Sequence, residues 1–161
     1  AGGPGLDGSG DPRPSRCGAA IAPDFRERVV GSAMLLDTTY LIDLQRELLR
    51  RTQGGAFRFL SDHPDILLRM SVVTYGELAE GFTPESRADF QELIRPYEIV
   101  PLTDDIAWQF GMLSRILRSE GQRLGDNDLW IAATALELGA PLVTRDRAHF
   151  ERIAGLTVLS Y

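Results

Sequence analysis

Four acidic side chains in this sequence stand where strands end or helices begin: Asp37 after MLL, Glu77 in TYGELAEG, Asp128 in GDNDLWIAA and Asp146 in VTRDRAHF. Each has an ordinary explanation when taken alone. Asp37 and Asp146 suit the N-cap of a following helix, and a single helical glutamate such as Glu77 is usually exposed. Asp128 fits that pattern poorly. Helical residues advance by about 100° each, so Asn127, Thr134 and Glu137 define a polar face, with Asp126 near it. Asp128 falls opposite, above Ile131, Ala132 and Ala135, where a carboxylate is costly without a cation or hydrogen-bond donors. Asp126 therefore reads as the cap and Asp128 as a site residue. Glu80 is the rival acid one turn after Glu77, and Asp43 reads as a solvated or ion-paired side chain.

Four such acids at one place would repel and raise one another's pKa values. A divalent cation makes the set tolerable, and all-oxygen, carboxylate-rich sites suit Mg²⁺ or Mn²⁺. Zinc is a poor fit, because Cys17, His63 and His149 are the chain's entire stock of cysteine and histidine. Both histidines read as surface residues, and no Ser-His-Asp arrangement is evident. A bound Mg²⁺ can activate water and neutralise a phosphodiester in the transition state. Thr39 and Thr144 offer hydroxyls beside the first and last acids. Arg145 and Arg147 flank Asp146 and could contact a phosphate, although solvated residues at a helix start explain them equally well. Arg115, Arg118 and Arg123 read as a solvated helix face.

The elements that must position these residues alternate along the chain. MLLD (34–37) predicts a strand, and TYLIDLQRELLRR (39–51) a helix stopped by Gly54-Gly55. AFRFLSDH (56–63) reads as a short helix and ILLRMSVV (66–73) as a strand. TYGELAEGF (74–82) and a segment from Pro84 to about Arg95 follow as helices. After the strand EIVPL (98–102) come helices at 104–121 and 126–139. The strand PLVT (141–144), a helix at 147–153 and a last strand at 156–160 complete the chain. This alternation predicts an α/β fold with a mostly parallel sheet covered on both faces. In such sheets ligands bind beyond the carboxyl ends of the strands, which is where the four acids fall.

Composition narrows the chemistry. The 161 residues are 43% hydrophobic and 25% charged, as in an ordinary globular domain. All 17 basic residues are arginine, which excludes a P-loop lysine and Schiff-base chemistry. A net charge of −6 argues against binding nucleic acid by bulk electrostatics. No apolar run approaches the ~20 residues of a membrane helix, the first thirty residues lack a secretory signal, and one cysteine permits no internal disulfide. A cytoplasmic protein with no membrane association is expected. Residues 1–33 are rich in glycine and proline, with no apolar period, and read as a flexible extension, whether tail, linker or misassigned start. Met34 is the expected start of the folded unit, residues 34–161.

LLDTTYLIDL, TYGELAEG, NDLWIAATALELGAPLVTRD and HFERIAGLTV, in this order and spacing, resemble the PIN-domain nucleases, and more narrowly the VapC toxins of toxin–antitoxin pairs. The resemblance covers residues 34–161. It implies a PIN-like three-layer α/β/α sandwich and a Mg²⁺- or Mn²⁺-dependent endoribonuclease. Asp37, Glu77, Asp128 and Asp146 match the family's four acids in turn. Thr39 stands where the family usually has serine or asparagine, a departure that keeps a hydroxyl, and Thr144 matches the hydroxyl of the last motif. Expected partners are an RNA substrate, a cognate antitoxin protein and a second copy of the chain. Two rivals are a non-catalytic, degenerate PIN-like interaction module and a phosphatase with Asp37 as nucleophile. The second usually needs another aspartate at position 39 and a lysine, and this chain has neither.

Overall fold

The computed structural model describes residues 33–161. The expected extension, up to residue 32, lies outside the described residues. The first strand opens at Ala33, one residue before the expected boundary.

Five strands form one wholly parallel sheet: β1 (Ala33–Leu36), β2 (Leu67–Ser71), β3 (Glu98–Val100), β4 (Leu142–Val143) and β5 (Val158–Leu159), in the order β3-β2-β1-β4-β5. The chain works outward from β1 to β3, then crosses back to lay β4 on the other side of β1. The order therefore reverses between β1 and β4, and the crevice beyond their carboxyl ends is where such a sheet receives a ligand. Leu35 aligns with Leu142 and Leu36 with Val143. Asp37 and Thr144 thus leave adjacent strands side by side.

Side-chain alternation divides the core between the two faces. Met34, Leu36, Met70 and Val143 pack with Tyr40, Leu41, Leu44, Leu78, Phe90 and Ile94. These come from α1 (Thr38–Arg50), α3 (Val72–Ala79) and α4 (Arg87–Ile94), with Ala56 of α2 (Gly55–Asp62) beside them. Leu35 and Leu142 face the other way, onto Ile106, Leu113, Leu117, Leu129, Ile131 and Phe150. That layer comprises α5 (Asp104–Ser119), α6 (Asp126–Leu138) and the short α7 (Arg147–Phe150). The expected three-layer α/β/α sandwich is therefore observed, with every strand pair parallel.

Three local expectations are corrected. Gly54-Gly55 does not stop α1. The helix ends at Arg51, whose left-handed φ of 55° lets its N–H bond back to Glu47 and Leu48 carbonyls, and Gly54 instead caps the start of α2. Val72 and Val73 are helical despite their β-branching, because the Ser71 side chain accepts the Thr74 N–H and begins α3 there. Thr134 is fully buried, so the polar face assigned to α6 does not exist along its length. Its hydroxyl donates to the Trp130 carbonyl one turn back, at 2.8 Å, which satisfies it without water. At the far end α6 stops on Gly139, where φ is +59° and a side chain would be strained.

Candidate active site

The four predicted acids line one open cavity of about 340 Å³, together with Thr38, Thr39, Glu80, His149 and Phe150. Among the described residues, no arginine lines it.

Asp37 is the innermost, only 4% exposed. Its backbone is the N-cap of α1, yet its side chain makes no capping bond. Thr39 and Thr144 each donate a hydroxyl hydrogen bond to Asp37 Oδ2, at 2.7 and 2.8 Å. The same hydroxyls accept backbone N–H groups of the turn after β4: Thr39 from Arg145 at 3.3 Å and Thr144 from Asp146 at 3.0 Å. The two threonines, 3.2 Å apart, tie the turn carrying Asp146 to the end of β1. They also restrain the Asp37 carboxylate, which lines the cavity. Asp146 repeats the pattern, as the backbone N-cap of α7 with no side-chain cap. The ordinary cap explanation therefore fails for both residues.

Glu77 is held from two sides. Its Oε2 accepts the Thr38 hydroxyl, and its Oε1 accepts Asn127 Nδ2 at 2.8 Å. This bridge links α1, α3 and α6. Glu80 also lines the cavity but is exposed.

Asp126 and Asp128 separate as expected, though not for the expected reason. Asp126 is exposed and is the first helical residue, while Gly125 is the N-cap, with no side-chain capping bond. Asp126 is therefore not the cap. Asp128, half-buried, points into the cavity. Its pKa is raised, chiefly by burial, and further by the charges of Asp37, Glu77 and Asp146, while His149 opposes the rise.

His149 is the second correction, since it is not simply a surface residue. Its Nε2 lies 3.2 Å from Asp128 Oδ2, close enough for ion pairing, although the geometry is not that of a hydrogen bond. Thr38, Asn127 and His149 are the site residues that sequence reasoning missed. Thr38 adjoins Asp37, Asn127 adjoins Asp128, and His149 is one helical turn from Asp146. Those offsets were visible, but nothing in them separated a site residue from a solvated neighbour.

Arg145 and Arg147 are both exposed and both engaged with carboxylates. Arg145 pairs with Asp43 at 2.9 Å, and Arg147 pairs with Glu151 within α7. Arg115, Arg118 and Arg123 lie away from the acid cavity, beside Ser114 and Gly111 on α5 or at the start of α6.

The donor set suits a hard divalent cation: carboxylate and hydroxyl oxygens in one half-open cavity, with no arginine among the described residues lining it. Among the described residues, no three acid or histidine side chains stand close enough together, as they lie, to hold a metal ion.

A PIN-domain family model matches residues 34–156. Ribonuclease VapC1 of Haemophilus influenzae (strain R2866) is 32% identical over 129 residues, covering 76% of this chain and 92% of its own length. Among solved structures, VapBC-1 from nontypeable Haemophilus influenzae aligns with a TM-score of 0.66 at 30% identity, over 80% of this chain and 97% of that one. VapBC-5 from Mycobacterium tuberculosis, a member of the VapBC family of toxin-antitoxin systems, aligns with a TM-score of 0.60 at 29% identity, over 81% and 99%. With four acids brought to the crevice of a parallel sheet, and a family match spanning the described fold, this chain belongs to the PIN-domain family.

Proposed function

We propose that this protein is a metal-dependent endoribonuclease toxin of the VapC kind, hydrolysing RNA phosphodiester bonds and neutralised by a cognate antitoxin. The observation that carries this reading is the single cavity lined by Asp37, Glu77, Asp128 and Asp146, with no arginine among the described residues that line it. The likeness to a protein named Ribonuclease VapC1 supports the activity, and the likeness to VapBC structures supports an antitoxin partner.

Asp37, Glu77, Asp128 and Asp146 would hold Mg²⁺, with Mn²⁺ as the alternative. When bound, the cation offsets charge on the phosphodiester and lowers the pKa of water. The chain's own residues prepare that site. Thr39 and Thr144 orient the Asp37 carboxylate, and Thr38 and Asn127 fix both oxygens of Glu77. Asp128, whose pKa is raised chiefly by burial, completes the set from α6. Arg145, next to Asp146 and paired with Asp43, is the first candidate to meet an RNA phosphate. Arg147 is the second candidate and would have to leave Glu151 to do so.

A second copy of the chain belongs to this reading, and the exposed Leu102, Trp108 and Ile116 at and along α5 support it. Light scattering on the purified chain and on Trp108→Glu tests it, with a dimer expected for the first and a monomer for the second. Among the described residues, no helix is long and apolar enough to cross a membrane.

The decisive experiment uses protein freed of antitoxin and supplied with Mg²⁺, beside Asp37→Asn with an unchanged circular dichroism spectrum. The wild type should cleave RNA at least about a thousandfold faster than the variant. Equal cleavage by both, or none by either, would hand the chain to the non-catalytic interaction module.

A further inference from the structure

Arg145 stands between Thr144 and Asp146, in the turn that closes the acid cavity, yet it does not line that cavity. Its Nη1 donates to both oxygens of Asp43, at 3.2 and 2.9 Å. Asp43 lies one helical turn beyond Thr39 on α1. Its side chain is 19% exposed, against 56% for Arg145. Tyr161 Oη donates to the same Asp43 Oδ2 at 2.8 Å. The Tyr161 ring is in turn seated edge-on against the buried ring of Tyr40, with centroids 4.8 Å apart. Tyr40 is itself anchored by its hydroxyl on the Ala56 carbonyl, at 3.0 Å. Burial and the bond to Asp43 both push the Tyr161 phenol pKa upward, so it remains a donor. Arg46 adds a looser contact to Asp43 from the solvent side, at 3.6 Å.

The Arg145 backbone has little freedom, since its N–H is bonded to Thr39 and the next N–H to Thr144. Its side chain does have freedom, and two destinations compete for it. One is Asp43. The other is the cavity next door, lined by Asp37, Glu77, Glu80, Asp128 and Asp146 and, among the described residues, by no arginine. An arginine released from Asp43 would be drawn there by the larger negative charge. It would then occupy the place of the cation.

We infer that Asp43, locked by Tyr161, is a positioning residue that holds the Arg145 guanidinium outside the four-acid cavity, keeping the cavity free for a divalent cation. The inference rests on the reading of that cavity as a metal site. It also explains how an arginine can sit beside a cation site without neutralising it: the tether directs one Nη to Asp43 and leaves the remaining donors at the rim.

Mn²⁺ titration by calorimetry tests this without any measurement of cleavage. Asp43→Asn keeps the shape but removes the charge that retains Arg145. Mn²⁺ should bind this variant about fivefold more weakly than the wild type. Adding Arg145→Gln to Asp43→Asn should restore the wild-type affinity, a rescue that a merely structural role for Asp43 would not produce. Should Asp43→Asn fail to fold, Tyr161→Phe removes the lock while sparing the carboxylate, and should weaken Mn²⁺ in the same direction by a smaller factor. Unchanged Mn²⁺ affinity in Asp43→Asn, or a double variant as weak as the single one, overturns the inference alone. A wild type that binds no Mn²⁺ overturns the metal site, and the inference with it.

Discussion

Arg69, in the middle of β2, and Asp37, just past the end of β1, are both charged side chains almost withdrawn from water, 1% and 4% exposed. Their surroundings differ. Arg69 meets its register neighbour Glu98 across the β2–β3 pair, with Nε 3.1 Å from Oε2. One of its nitrogens, Nη2, is buried without a partner. Among the described residues, Asp37 meets no cation. Two neutral hydroxyls orient it, and four further acids share its cavity. A buried charge with an opposite partner lowers a cost that folding itself incurred. Like charges gathered without a partner incur a cost that only a ligand can remove. The first arrangement suits a structural role and the second suits the chemistry proposed for this cavity.

The sharpest test of that contrast is Asp128→Ala against Asp126→Ala, two residues apart on α6. Asp128→Ala should reduce RNA cleavage by about a hundredfold or more. Asp126→Ala should leave cleavage within about twofold and cost at most about 0.5 kcal/mol of helix-dipole stabilisation. Cleavage assays paired with thermal melts read both, and equal losses of activity in two folded variants would erase the distinction. Next in size is Arg69→Ala, expected to cost about 2 kcal/mol through lost packing and pairing. Its cleavage rate per folded molecule should be unchanged, and Arg69→Met should recover much of the stability. A melt that does not move, or a folded Arg69→Met that cannot cleave, would place Arg69 in the wrong category.

Asn127→Ala frees one oxygen of Glu77, so cleavage should fall by about tenfold. Raising the Mg²⁺ concentration should recover part of that loss, because the acid is still present. The smallest effect concerns stability and pH. The folded-state pKa of Asp128 is raised above 3.8, so the folded chain holds this proton more tightly than the unfolded chain. Its contribution favours the fold at low pH and is lost as pH rises through the raised value. In chelator at neutral pH, Asp128→Asn should therefore melt slightly higher than the wild type, and the gap should close as pH falls towards 4. A wild type that melts higher at neutral pH would contradict the strain assigned to the acid cavity.

Much of this molecule was legible along the chain. Apolar alternation and helical periodicity placed every strand and helix of the described fold to within a few residues, because both periods follow from backbone geometry. The order of elements was enough to expect a parallel sheet and to send the four acids to its carboxyl edge. Errors arose where short-range signals compete. Two β-branched residues at 72–73 looked like strand until the Ser71 side chain started a helix. A threonine at 134 looked like surface until its hydroxyl was satisfied inside the helix.

Residue types and spacing alone determined the fold class, the four acids and the exclusion of lysine chemistry. Only the tertiary structure decided what holds those acids. The bonds that do so span 39, 50 and 107 residues, from Thr38 to Glu77, Asn127 to Glu77 and Thr144 to Asp37. No local period encodes such pairings. They exist because β4 returns to lie beside β1 and α6 packs against α3. The same closure brings Arg145 to Asp43 across 102 residues, so whether that arginine faces the cavity or turns from it was settled by the fold.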